Sequence, residues 1–384
     1  MDVAGLGLPH LKAGQRPAHM LPSYHSVSHS GPDLVQRHFN PLYKSVNIWL
    51  ILATQNFSHA NQTPNYTHHL IFAAIPIGAT AAGFDESSDD PISSTFTFGY
   101  STADIEGAID LTTKTFDIES DISLGENVNV DVSFGFSKTD IDVGGFELGA
   151  ELISLGIDPS YHFGNGGYIG AYYRSGDLDV AITGLPINFG IDTHSVGLFG
   201  GYESGPLWAE AFFGKSDSDP SLGDVDIRDV GASFSYDVSP DMEVFGHIAN
   251  THLEGGGDDL DLTLLGLGAE YRTGNGLAFY GSLGRLNTGG SLVAGGDLYA
   301  NQATIGATYA MQTSIPAVVS LEFTKTELAL DGLLGIDTAD IDSVSVGLTI
   351  PVGSNAKGKP LNSSTQTARG ASRSAISGAL ATLR

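Results

Sequence analysis

The chain of 384 residues contains 50 glycines, no cysteine and only 16% charged residues, and it carries a net charge of −27. Without cysteine there is neither a disulfide framework nor a thiolate metal site, and the acidic excess repels nucleic acid. The charge is uneven: residues 83–353 hold eight basic and 42 acidic side chains, whereas residues 354–384 hold five basic and none acidic.

Residues 1–67 have no hydrophobic periodicity and read as a disordered extension or an over-extended start of translation. His59, His68 and His69 are too irregularly spaced for a metal-binding tract. Residues 68–82 are signal-like. The run from Leu70 to Gly83 is apolar and ends in small residues at Ala79, Ala81 and Ala82, the form of a secretory signal with its cleavage site. At about thirteen apolar residues it is too short to cross a bilayer as a helix. The mature chain is therefore expected to begin near Ala82 or Gly83.

From about residue 94 to residue 351, fourteen segments alternate in polarity. The clearest, Asn127–Lys138, sets Val128, Val130, Val132, Phe134 and Phe136 against Asn129, Asp131, Ser133, Gly135 and Ser137. Asp229–Tyr236, Pro316–Thr324 and Ser343–Ile350 repeat the pattern. Alternate side chains of a strand face opposite ways, whereas a helical apolar face recurs at three and four. Tight turns at Gly125–Asn127, Gly164–Gly167, Ser204–Pro206, Ser239–Asp241, Gly274–Gly276 and Gln312–Ser314 supply the glycine and asparagine that hairpins need. They alternate with Asp- or Gly-rich connections at about 103–112, 139–145, 176–190, 216–226, 254–259, 286–297 and 327–338. Short turns at one end and long loops at the other describe a membrane-spanning meander, which must close on itself because lipid cannot satisfy an open edge. The expected fold is all-β: a transmembrane antiparallel up-and-down β-barrel of about 14 strands over residues 83–353. A basic periplasmic tail, solvated and at most weakly helical around Ile376, Ala379, Leu380 and Leu383, is expected at 354–384.

On these segments and turns the chain resembles the Gram-negative outer-membrane porin superfamily, most nearly its monomeric fourteen-stranded members, over about residues 92–351. The resemblance implies a place in the bacterial outer membrane, contact with its lipid and lipopolysaccharide, and assembly by the barrel-assembly machinery. It also implies passive diffusion of small hydrophilic solutes. Members commonly end on an aromatic residue that closes the last strand. Here the last segment ends Leu348-Thr-Ile-Pro351 and a tail follows.

Strand parity turns Asp117, Glu119, Asp121, Asp131, Asp158, Glu210, Glu243, Glu270 and Glu322 inward, opposed by Arg174 and Arg272. Carboxylates around a wet pore concentrate cations and repel anions. The apolar parity, continued outward, carries Lys138, Lys215, Arg285 and Lys325 to the lipid-facing edge at the long-loop end. There they either contact lipopolysaccharide phosphate or pair with neighbouring loop aspartates. Acidic runs such as Asp140 and Asp142, Asp217 and Asp219, or Asp258, Asp259 and Asp261 either are solvated or hold a loop-bound Ca2+. No cofactor and no defined metal site is expected. Nor is catalysis: of the candidates His194, His247 and His252, the nearest, His194, has Ser195 adjacent on the strand, and the two face opposite ways. The sequence thus describes a cation-preferring porin. The alternative is a closed structural or adhesive surface barrel whose Asp-rich loops bind divalent cations or a partner.

Overall fold

The computed structural model describes residues 91–384, apart from 106–108, 144–145, 183–187, 220–224, 256–257, 290–297, 312–314, 331–337, 355 and 383–384. The extension at 1–67, the signal-like segment at 68–82 and the expected mature start lie outside the described residues. Fourteen strands follow one another: β1 (Ile92–Ile105), β2 (Ile109–Ser123), β3 (Val128–Val143), β4 (Phe146–His162), β5 (Gly167–Ile182), β6 (Asn188–Ser204) and β7 (Leu207–Asp219). After them come β8 (Asp226–Ser239), β9 (Met242–Gly255), β10 (Asp258–Arg272), β11 (Leu277–Gly289), β12 (Leu298–Met311), β13 (Ala317–Leu330) and β14 (Thr338–Val352). Each pairs antiparallel with its neighbours in sequence, and β1 closes on β14 from Ser94↔Val352 to Ile105↔Ile341. Closure leaves no unpaired edge, the condition for a sheet in hydrocarbon.

The polarity is inverted relative to a soluble barrel. Val230 and Phe213, on the outward parity, are 55% and 61% exposed, whereas Asp117 and Glu322, on the inward parity, are each 3% exposed. Phe234, Leu321 and Val346 are exposed on the same outer face. Alternation within each segment therefore set the register correctly, because a slip of one residue would turn every apolar row into the lumen.

Three expectations need correction. The long loops are shorter than the sequence suggested, because the strands, 13 to 17 residues long, run on into them. Asp140 and Asp142 belong to β3, Asp217 and Asp219 to β7, and Asp258, Asp259 and Asp261 to β10. About ten residues suffice to cross hydrocarbon, so the remainder stands beyond it, where backbone pairing tolerates exposed carboxylates such as Asp140, Asp142, Asp217 and Asp219. Second, the inner face is not uniformly small or charged. Tyr168, Tyr172, Phe199, Phe212 and Leu264 form a buried cluster on the inside of β5, β6, β7 and β10.

The third concerns the tail, which is not solvated. After β14 the chain turns at Gly353, whose φ of +98° an L-residue rarely adopts, and where an added Cβ would meet the Ile92 carbonyl oxygen at 2.8 Å. It then runs back inside the barrel. Two short helices, α1 (Thr365–Ala368) and α2 (Ala375–Thr382), lie against β9, β10 and β11. The physical reason is charge: a segment rich in cations has carboxylates on the wall to meet.

Candidate functional site

The site is the lumen and the segment inside it. Register places Glu243 of β9 opposite Glu270 of β10, and Asp131 of β3 opposite both Asp121 of β2 and Asp158 of β4. Like charges directly opposite across a ladder destabilise it unless a cation intervenes. The strands supply Arg272, which donates from Nη2 to Glu243 at 2.7 Å and from Nε to Glu270 at 2.8 Å. They also supply Arg174, which donates from Nη2 to Asp158 at 2.6 Å.

The tail supplies the rest. Arg369 donates from Nη1 to Glu243 and from Nη2 to Glu270, each at 2.6 Å, and its guanidinium lies 3.8 Å from the Phe245 ring centroid. Lys359 donates to Glu243 at 3.1 Å. Arg373 donates from Nη1 to Glu210 and from Nη2 to Asp158 at 3.3 Å, passing 4.4 Å from the Phe199 centroid. Ser363 and Ser364 donate to Glu322, the latter through its backbone N–H at 3.0 Å. On the opposite wall Thr95 donates to the Lys357 carbonyl at 2.8 Å, and the Leu361 N–H donates to Thr97 at 3.2 Å. The tail therefore touches β1, β4, β7, β9, β10 and β13, and so bridges the lumen from wall to wall. Close approach is built in at Gly266, where a Cβ would come 2.5 Å from Ala368 Cα.

Two tail lysines feel the wall in opposite senses. The Glu119 carboxylate, with Asp131 and Asp121, holds Lys357 above the ordinary lysine value and outweighs its burial. Burial, then the like charge of Arg369, holds Lys359 below it.

Every acid expected inward lies on the inner parity. Asp158, Glu210, Glu243, Glu270 and Glu322 bond the tail directly, whereas Asp117, Glu119, Asp121 and Asp131 line the β2–β3 wall. Asp229, which accepts from Ser216 and from Thr251, is a buried inward carboxylate that the sequence reading missed. The four outward cations are occupied. Lys138 meets Glu151 at 2.8 Å, Lys215 meets Asp226 at 3.2 Å, Lys325 meets Asp340 at 2.8 Å, and Arg285 sits 5.2 Å from the Tyr299 ring centroid. Each carboxylate partner stands on the next strand, not in the following loop. His194 bonds Tyr173 at 3.2 Å while Ser195 bonds Ser216 on the other face, so the two form no pair. Among the described residues, no group of three or more His, Asp or Glu side chains is arranged to hold a metal ion.

An inverted, closed barrel of fourteen strands with a polar lumen is the architecture of an outer-membrane protein. A Gram-negative porin family model matches residues 150–291, from within β4 to just past β11. The barrel is thus porin-like, of the Gram-negative outer-membrane kind. No curated protein matches the sequence. Among solved structures, the anion-selective porin from Comamonas acidovorans shares 12% identity, covering 68% of this chain and 98% of its own, with a TM-score of 0.43. OmpT of Vibrio cholerae shares 11% over 69% and 99%, and a Pseudomonas aeruginosa FadL homologue 11% over 68% and 90%, each with a TM-score of 0.43.

Proposed function

We propose that the chain is a channel through which small hydrophilic solutes diffuse, cations ahead of anions, once the basic tail leaves the lumen. The supporting observation is the inward set of carboxylates on β2, β3, β4, β7, β9, β10 and β13, which the strands themselves oppose only with Arg174 and Arg272. Such a wall raises the local cation concentration. The test is a planar bilayer holding the full-length protein with Arg369→Ala and Arg373→Ala, which releases the tail, under a KCl gradient. Stepwise currents reversing towards the potassium equilibrium potential are expected, and anion-biased currents would refute the preference.

The seated tail favours a second reading, a barrel kept closed for a structural or adhesive role. That reading requires silence even after Arg369 and Arg373 are replaced.

The outer cations Lys138, Lys215, Arg285 and Lys325 remain our assignment for lipopolysaccharide phosphate, since one ion pair leaves each lysine ammonium further donors and a ring contact leaves the Arg285 guanidinium its N–H groups. Replacing all four with Gln should reduce co-purified lipopolysaccharide. Unchanged retention would leave the three lysines as ion pairs and Arg285 as a ring contact only. The barrel-assembly machinery is the proposed assembly partner.

A further inference from the structure

Two features inside the lumen have the form of binding sites that already hold their ligand. In the first, a guanidinium lies on the Phe245 ring and bonds Glu243 and Glu270. In the second, a guanidinium lies over the Phe199 ring at 4.4 Å and the Phe212 ring at 5.6 Å from their centroids and bonds Glu210 and Asp158. We infer that these are guanidinium-binding sites of the channel, filled in cis by Arg369 and Arg373, for which a guanidinium-bearing solute competes. The inference rests on the channel reading, because the solute must reach the lumen.

Three observations carry it. In each site the tail guanidinium bridges two carboxylates from different strands, beside the strand cations Arg272 in the first and Arg174 in the second, a geometry that a forked guanidinium satisfies and a single ammonium does not. Each backs that cation with aromatic faces, which add cation–π attraction. The second site also has acceptor capacity that the tail leaves unused: Asp158 Oδ1 and the Tyr172 hydroxyl have no hydrogen-bond partner, although both residues are only 3% exposed. The tethered tail competes at an effective concentration of about the millimolar range, so the solute must act at similar levels.

The probe is agmatine, a guanidinium-bearing amine, titrated in detergent against the full-length protein with Arg369→Ala and Arg373→Ala. Binding is read as a rise in unfolding temperature. Agmatine should bind this variant about tenfold more tightly than it binds the wild type, and about tenfold more tightly than the equally charged diamine putrescine binds. Adding Glu210→Gln and Glu270→Gln should abolish both margins. Equal binding to variant and wild type, or equal binding of the two probes, overturns the assignment. If the alanine variant forms no barrel, Ser282→Cys with Thr365→Cys gives a second route. Those hydroxyls lie 3.3 Å apart and the chain has no other cysteine. Agmatine should bind the reduced protein and not the oxidised, locked one, and identical binding in both states also overturns the assignment. Binding without conductance defeats the channel reading alone, and conductance without binding defeats the guanidinium sites alone.

Discussion

Three cations converge on Glu243: Arg272 from the neighbouring strand, and Lys359 and Arg369 from the tail. Breaking a buried ion pair on one side strands the other charge, at about 3–5 kcal/mol. Glu243→Gln should therefore free the tail, and trypsin should cleave after Lys357 and Arg369 while the barrel keeps its resistance to heat in detergent. Full protection would place the anchor elsewhere. The two lysines predict a pH response of opposite signs. Lys357, raised in the seated state, favours seating below the ordinary lysine value, and that contribution is lost as pH climbs through the raised one. Lys359, lowered, opposes seating at low pH, and its penalty fades as pH rises from the lowered value to the ordinary one. Tail protection should thus peak near the ordinary lysine value, about pH 10.4. Lys357→Gln should remove the fall on the alkaline side and Lys359→Gln the rise before it, and a flat profile in the unaltered protein would contradict both. At this scale the sequence was half legible. Alternation put Glu243 and Glu270 inside, but Arg369 lies 126 residues from Glu243, beyond any local signal.

Among the elements, Gly353 decides where the tail goes, because its positive φ returns the chain towards the lumen. Gly353→Val adds backbone strain of about 1–3 kcal/mol and a clash with Ile92. The expected result is an intact barrel with a protease-sensitive tail, measured by limited trypsin digestion. An unaltered digestion pattern would mean that another contact steers the chain. The strands themselves were readable where large apolar side chains keep to the outer face and small or polar ones to the inner, so alternation was undiluted in β3, β8 and β14. Where both faces carry large residues, as with Tyr172 and Tyr173 of β5 or Phe212 and Phe213 of β7, alternation fades and the inward rings went unnoticed. Strand ends were misplaced for a different reason. Aspartate and glycine signal turns, yet in this barrel they extend past the hydrocarbon on paired backbone. The tail was misread because it has no alternation, and its clearest signal was complementarity: five cations following a region with 42 acids.

For the whole molecule, the β2–β3 wall is where charge remains least matched, with Glu119, Asp121 and Asp131 sharing Lys357. Replacing those three acids with their amides should move the reversal potential of the open channel towards zero and leave its assembly unchanged. An unmoved potential would shift selectivity to the opposite wall. The closed ring also has a temporal consequence, since the lumen's occupant follows β14 in the chain. The strands that close the wall, β1 and β14, can meet while the inward rings of Tyr172, Phe199 and Phe212 still face water. Folding then has two stages, a wet barrel first and a filled one second. Compact migration on a gel should develop before tail protection during refolding, and a chain interrupted after Val352 should stop at the first stage: a complete wall that leaks.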